Sequence, residues 1–499
     1  MKSSFYRKKW ANIKTQDADP EEVKRLARQI AHSFMDGYLK DCHYEEDYID
    51  LLCEMTTQSQ ISGLNSIAAQ ALFRIIIERL CDDFEELQTE TYNNVMTQII
   101  SYCRRIPAGR DLDRCLNGFK IYSRNDLLER IKKIRLDAKM LSRQMHIKKI
   151  LLLSRVTIGA DVAVTSIIIQ RLAELFPDAQ FVLIGGSKLD EIYGGNSRIR
   201  LRTVFYDRQG GLLERLSSWQ MVLDTIQEEL ASYPLKNTAL IDPDSRLSQL
   251  GVLPIIAPDH YFFFDSRSDV SFAGNMSMAQ LTNTWLDKIT GEQNFRYPRV
   301  WLLASNIQKA ARLSEKLKKN GVQRIIAINF GVGGNPRKKV GQLLEQELLL
   351  SLLKEPNTVI LLDKGIGDKE LQSSHSLLDY IRQKGYPVEE AVFAAGFDSE
   401  IRHGIIGLQT GIGEIAAVIA ECDEYIGYDS ACQHIAAASE TPCLTIFAGS
   451  NNMRFIRRWS AFGPNICQIV HVDTLTDPTT IVVQDIITRI MNARRNLKN

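Results

Sequence analysis

The stretch Glu424-Tyr-Ile-Gly427-Tyr-Asp429-Ser430-Ala431-Cys432-Gln433-His434-Ile-Ala-Ala-Ala438 decides how this chain is read. A short apolar run ends in Asp-Ser, and a helix of small residues follows at once. Residues 442–448 form another apolar run and complete a strand–helix–strand unit. Asp429 or Ser430 can cap the helix, leaving backbone N–H groups to face an anion, for which a diphosphate is the obvious choice. The plain alternative is a capped core helix of any α/β domain, and local chemistry alone favours it.

The sequence on both sides shifts that balance. Upstream, strands are predicted at 324–330 and 358–362, with helices at 341–354, 371–384 and 414–421. Downstream, a last helix at about 480–493 is expected to pack back on the first α/β domain. An earlier copy of the pattern starts at Lys149, with strands at 150–153, 181–184, 199–205, 238–241 and 261–264. Its helices fall at 163–176, 212–230 and 276–289. Strands alternating with helices predict parallel sheets covered on both faces. Two doubly wound domains in series place a ligand cleft between them, at the carboxyl ends of the strands. Residues 20–145 read as helical throughout: Pro20-Glu21-Glu22 starts a helix, and 61–80 carries apolar residues at helical spacing. The expected division is therefore 1–147 helical, 148–320 first α/β domain and 321–499 second.

Composition narrows the function. In 499 residues, 61 basic side chains meet 60 acidic ones, so no nucleic acid or other polyelectrolyte partner is implied for the whole chain. No apolar run approaches the ~18 residues of a membrane span, and the basic N-terminus lacks the apolar core of a secretory signal. Nine scattered cysteines form no C-x-x-C pair, so neither a zinc ribbon nor a disulfide framework is expected, and a reducing cytoplasm fits.

Three places carry candidate chemistry. After the first strand comes Ser154-Arg155-Val156-Thr157-Ile158-Gly159-Ala160-Asp161. A carboxylate opening a helix there suits general-base work, although Asp is also a common N-cap. Gly331-Val-Gly333-Gly334-Asn335-Pro336-Arg337-Lys338-Lys339 offers glycines for close approach to phosphate and cations to neutralise it. It matches neither a Walker A loop nor G-x-G-x-x-G, and a solvated turn is its alternative. His434 is either a phosphate donor or a satisfied core histidine, and it lies one helical turn from Ser430. Asp242-Pro243-Asp244 has the spacing of a cation site, but Pro243 suits an ordinary turn, and no metal is expected. Basic residues gather at Arg7–Lys9, at 130–149 and at 453–459. These are solvated faces or, on the sharper reading, contacts to an anionic membrane or acceptor.

Taken in order, these pieces resemble glycosyltransferase family 9, the ADP-heptose:lipopolysaccharide heptosyltransferases. The resemblance covers about 148–475 and leaves the helical N-terminal part aside. Asp429-Ser430-Ala431-Cys432-Gln433-His434-Ile-Ala-Ala-Ala is similar to the family's Asp-Thr/Ser-Gly-x-x-His-x-Ala-Ala-Ala pattern, with Ala431 where Gly is usual. It implies donor-site roles for Asp429, Ser430, Ala431 and His434. Gly331, Gly333 and Gly334 with Arg337, Lys338 and Lys339 resemble the family's glycine loop and phosphate lysine. Residues 362–370 fall where the family holds its nucleoside. Ile158-Gly159-Ala160-Asp161 and Pro177-Asp178-Ala179 are similar to the family's Gly-Asp turn and later Pro-Asp-Ala, which implies Asp161 as catalytic base. Here Ala160 separates Gly from Asp, and Ile167 stands where proline is usual.

The resemblance implies a GT-B fold, with two Rossmann-like doubly wound domains facing a cleft. It implies an inverting, metal-independent glycosyltransferase without a cofactor. The donor is a nucleotide-diphosphate sugar, ADP-heptose in the family, and the sugar a heptose or other hexose-like unit. A lipopolysaccharide core, another glycan and a protein hydroxyl all stay open as acceptors. The expected place is the cytoplasm, peripherally at the inner membrane face. The alternatives are a non-catalytic sugar-nucleotide-binding or scaffold protein and a GT-B sugar-nucleotide epimerase.

Overall fold

The apolar runs become the strands of two sheets in the computed structural model, which describes every residue except 1, 15–18, 42, 58–62, 83, 137–138, 208–209, 268–274 and 498–499. Cys42, Ile61 and Asp137, which entered the sequence reading, lie outside the described residues. The first sheet holds β1 (Lys149–Leu153), β2 (Gln180–Gly185), β3 (Ile199–Thr203), β4 (Thr238–Asp242) and β5 (Tyr261–Phe263), in the order β3-β2-β1-β4-β5. The second holds β6 (Arg324–Asn329), β7 (Thr358–Asp363), β8 (Val388–Val392), β9 (Gly404–Gln409), β10 (Glu424–Tyr428), β11 (Cys443–Phe447) and β12 (Cys467–His471). Its order is β12-β11-β10-β6-β7-β9-β8, with every neighbouring pair parallel. The chain divides into two units. Met1–Val156, Val182–Gly186 and Arg202–Gly274 form one, and Thr157–Phe181, Ser187–Leu201 and Asn275–Asn499 the other.

In the first unit the N-terminal helices do not build a core of their own. Along Pro20–Asp41, Val23, Leu26, Ala27, Ile30, Ala31 and Phe34 are buried at helical spacing. Together with residues of Glu46–Thr57 and Glu86–Cys103 they join one continuous apolar cluster with Leu151, Leu153, Leu240 and Phe263 of the sheet. The helical segment thus shares one apolar core with the first sheet and with the helix Leu212–Ala231. Charged contacts fix this arrangement. The Arg215 guanidinium lies 3.8 Å from the Phe73 ring centre, and Arg135 Nε donates to Asp265 at 2.6 Å. Lys149, at the start of β1, is 1% exposed and pairs with Glu229 at 2.9 Å.

The second unit shows why its central strands were readable. β6, β7, β10 and β11 are buried almost end to end, as parallel strands covered on both faces must be. Its strand order reverses between β6 and β10, which brings the loops after Asn329 and Tyr428 side by side. In open α/β sheets that crevice is where ligands bind. The last helix, Val483–Arg495, buries Ile486, Ile487 and Ile490 in the core of this same sheet. Arg494 on that helix reaches Glu424 of β10 through three hydrogen bonds of 2.5–2.9 Å.

Candidate functional site

The site begins where β10 ends. Ser430 is extended (φ −152°), and the helix Ala431–Ala438 starts immediately. The first-turn N–H groups of any helix lack intrahelical acceptors, so this start presents donors and the positive end of the helix dipole. Asp429 makes no cap here. Its Oδ1 accepts from Gln433 Nε2 at 2.6 Å, and its Oδ2 pairs with Lys338 Nζ at 2.6 Å. Gln433 is held in turn by the Thr445 hydroxyl at 3.0 Å. The carboxylate therefore ties the helix start to the glycine loop after β6.

That loop needs its glycines. Gly333 and Gly334 take φ of 59° and 84°, the left-handed region that other residues avoid. Asn335 accepts from the Arg337 backbone N–H at 3.2 Å, starting a short turn at Pro336–Lys338. The turn leaves Arg337 exposed, with Lys338 and Lys339 half-buried. Gly331 N donates to Asn329 Oδ1 at 3.0 Å, and Asn329 Nδ2 donates to Asp363 Oδ2 at 2.5 Å. Asp363 also accepts from Thr410 Oγ1 at 3.0 Å, and burial pushes its carboxyl above the usual range. Asn329 and Thr410 escaped the sequence reading, as did Gln433. The usable signal for Asn329 was a polar residue closing an otherwise apolar strand just before the glycine loop.

His434 is 4% exposed, and burial pulls its imidazole down to about 4, so it is neutral near pH 7. Its ring meets Trp459 edge-on, with centres 6.1 Å apart. Next to it lies the turn that carries Asp161. A Cβ added to Gly159 would stand 3.0 Å from His434 Cδ2 and 3.1 Å from Ala431 Cα, so glycine permits this close approach. The helix begins at Ile158 with Thr157 as N-cap, and Asp161 opens a π-helical turn, Asp161–Thr165. Asp161 is therefore not an N-cap. It is 1% exposed, with Oδ1 accepting from Thr165 Oγ1 at 2.8 Å and its carbonyl accepting from Tyr193 Oη at 2.8 Å. The preceding loop holds Val156 at φ 71°, an uncommon backbone for a β-branched residue and a local source of strain.

Asp161, the glycine loop and the helix start all belong to the second unit. Asp242, the last residue of β4, and Asp244, in the loop just after it, belong to the first, and both are committed there. Asp242 accepts from Ser245 N at 2.7 Å and Tyr261 Oη at 2.6 Å, and burial pushes its carboxyl up to about 6. Asp244 pairs with the buried Arg267 at 3.2 Å. Among the described residues no group of three or more His, Cys, Asp or Glu side chains is arranged to hold a metal ion. Of the basic run, Arg130 bonds the Gly251 carbonyl and Arg135 pairs with Asp265, whereas Lys132 and Lys133 are exposed. No described helix is long and apolar enough to cross a membrane.

The family model of glycosyltransferase family 9 (heptosyltransferase) matches residues 392–475, which include the Asp429–His434 helix start. No curated protein matches the chain in sequence. Among solved structures, a glycosyl transferase family 9 protein from Veillonella parvula is 16% identical, covering 72% of this chain and 99% of its own, with a TM-score of 0.49. The E. coli ADP-heptose lps heptosyltransferase II is 13% identical, covering 70% and 100%, with a TM-score of 0.44. E. coli heptosyltransferase WaaC with ADP is 13% identical, covering 69% and 99%, with a TM-score of 0.46. The resemblance to family 9 thus has a matched segment at the site just described.

Proposed function

We propose, from that family 9 resemblance, that the chain is an inverting glycosyltransferase using a nucleotide-diphosphate sugar, with ADP-heptose as the donor suggested by the relatives. One observation carries the reading. The turn bearing Asp161 packs through Gly159 against the first turn of the Ala431–Ala438 helix. A carboxylate-bearing turn thus adjoins a helix start suited to a diphosphate. The donor phosphates would face the N–H groups at Ser430–Cys432 and the cations Arg337, Lys338 and Lys339. Lys338, held by Asp429, is positioned rather than free to swing, and neutral His434 can donate one ring N–H. Asp161 would take the acceptor hydroxyl's proton as that oxygen attacks the anomeric carbon. The bond from that carbon to the diphosphate breaks, and the leaving charge is met by fixed donors. Exposed Lys132 and Lys133 suit an anionic acceptor or the cytoplasmic face of an anionic membrane.

A second reading has its own observation. Asp161 is 1% exposed and already bonded to Thr165, as a purely structural aspartate would be. On that reading the protein binds sugar nucleotides without transferring them. Asp161→Asn separates the two. As a base, its loss costs about 100- to 10,000-fold in transfer or donor hydrolysis, with donor affinity nearly unchanged. Parental turnover in the variant removes the base assignment. Donor binding by the parent without turnover of any nucleotide sugar in a panel favours the binding protein.

A further inference from the structure

We propose that Cys443 and Cys467 are a reversible redox pair, which closes to a disulfide when the protein meets hydrogen peroxide. In the second sheet β11 and β12 run parallel, and Cys443 stands directly opposite Cys467 in their register. Each is the first residue of its strand. Side chains at paired positions of neighbouring strands leave the sheet on the same face. Adjacent strands lie about 4.8 Å apart, inside the Cα separation of about 4.4–6.8 Å that a disulfide spans. The fold thus sets the two thiols side by side, near enough to hydrogen-bond, although a long connection separates them in sequence.

Their surroundings are unequal. β12 is the edge of its sheet, and Cys467 there is half-buried, whereas Cys443 is 0% exposed. The Cys443 thiol donates to the Cys467 sulfur, and the Gly463 N–H donates to it as well. Together these bonds hold the Cys467 thiol below its ordinary value despite partial burial. Cys443, the donor of that bond and fully buried, is pushed well up. An accessible thiol with thiolate character beside a second cysteine is what peroxide oxidises selectively. Burial instead pushes up the thiols of Cys53, Cys103, Cys115, Cys422 and Cys432.

The Cys467 thiolate attacks one peroxide oxygen, the O–O bond breaks, and hydroxide departs to leave a sulfenic acid. The Cys443 sulfur then attacks the Cys467 sulfur, the S–O bond breaks, and a second hydroxide departs. The protons of the two thiols turn both hydroxides into water. Two thiols are thereby oxidised by two electrons, and one peroxide is reduced to two waters. An added dithiol reverses the step by exchange. The closed bond ties the edge strand to β11, across the segment that carries Trp459 against His434. This chemistry belongs to the thiols alone and stands without the transfer reading.

Mass spectrometry of the folded full chain, reduced and then given a slight excess of hydrogen peroxide, tests it. The chain should lose about 2 Da, and dithiothreitol should restore the starting mass. A non-reducing digest should join the Cys443 and Cys467 peptides. Cys467→Ser should abolish that cross-link. Cys443→Ala should leave Cys467 as a sulfenic acid that dimedone traps, a species the parent does not accumulate. The proposal is overturned if the folded parent forms no Cys443–Cys467 cross-link, or forms it only after urea has unfolded the chain. It is equally overturned if other cysteines pair first, or if dimedone leaves Cys467 unlabelled in Cys443→Ala.

Discussion

Replacing Arg494 by Met should destabilise the second unit by about 3 kcal/mol, the low end of the cost of removing one partner of a buried ion pair. Glu424 is 0% exposed and receives Arg494 through both of its oxygens, at 2.8 and 2.9 Å from Nε. Arg494 also reaches Glu355 at 2.5 Å, but that carboxylate is 33% exposed and can be rehydrated. The low end applies because Arg324 remains 2.8 Å from Glu424 in the variant. Methionine keeps most of the aliphatic stem, so the loss reports the charge rather than a cavity. Urea unfolding followed by tryptophan fluorescence would measure it. In a Glu424→Gln background, the same Arg494→Met change should cost far less, because no buried charge is stranded. Burial alone would raise the Glu424 carboxyl, yet Arg494 and Arg324 hold it below the ordinary value. Its contribution is therefore present above the unfolded carboxyl's range near 4.5 and is lost as pH falls through the lower folded value. Arg494→Met should move the onset of acid unfolding to higher pH. A loss below about 1 kcal/mol, or an equal loss in both backgrounds, would refute this account of the pair.

Other outcomes follow from the same contacts. Neutral, buried His434 contributes stability above pH 6.5 that fades as pH falls towards about 4, because the unfolded imidazole then binds the proton first. His434→Asn should flatten stability across that window, and an unchanged slope would mean the ring is protonated in place. Transferase activity should survive exhaustive EDTA treatment, since Asp242 and Asp244 are held by Tyr261 and Arg267. Activity lost to EDTA and restored by Mn²⁺ or Mg²⁺ would contradict that. Anionic liposomes should retain the protein at low salt and release it at high salt, each basic residue near the surface contributing about 1 kcal/mol. Lys132→Ala with Lys133→Ala should weaken retention, and retention indifferent to both changes would leave these lysines merely solvated.

In the second sheet the inner strand β9, Gly404–Gln409, was missed because Gly404 and Gly407 interrupt its apolar run, while β6, β7, β10 and β11 were legible because strands buried on both faces are continuous apolar runs. The edges of the sheet were not legible either. β8, Val388–Val392, has two of its five residues exposed and none buried, and β12 buries only Val470, so neither was read as a strand. Ala304–Lys319 was missed because four buried positions, Ala310, Leu313, Ser314 and Leu317, sit in a largely charged helix. At the site, residue types at chain turns were readable, but the Lys338–Asp429 pair and Gly159 against Ala431 join segments far apart in sequence. No local pattern encodes such contacts. The helix at Asp161 also starts earlier than its apolar spacing suggested, since Ile158 begins the turn and Thr157 precedes it. Helical character in the N-terminal part was plain, whereas its merging with the first sheet's core depends on long-range packing that spacing does not encode.

That merged core has a consequence for the order of synthesis. The helices up to Leu136 leave the ribosome with Val23, Ile30, Leu52 and Ile99 prepared to pack, yet Leu151, Leu240 and Phe263 arrive later in the same cluster. At typical translation speeds the wait is on the order of ten seconds. During it the nascent segment carries uncovered apolar faces, which makes it a natural client for chaperones. A shortened chain ending before β4 would be left in that state for good, bound for aggregation or proteolysis rather than for a free-standing helical module.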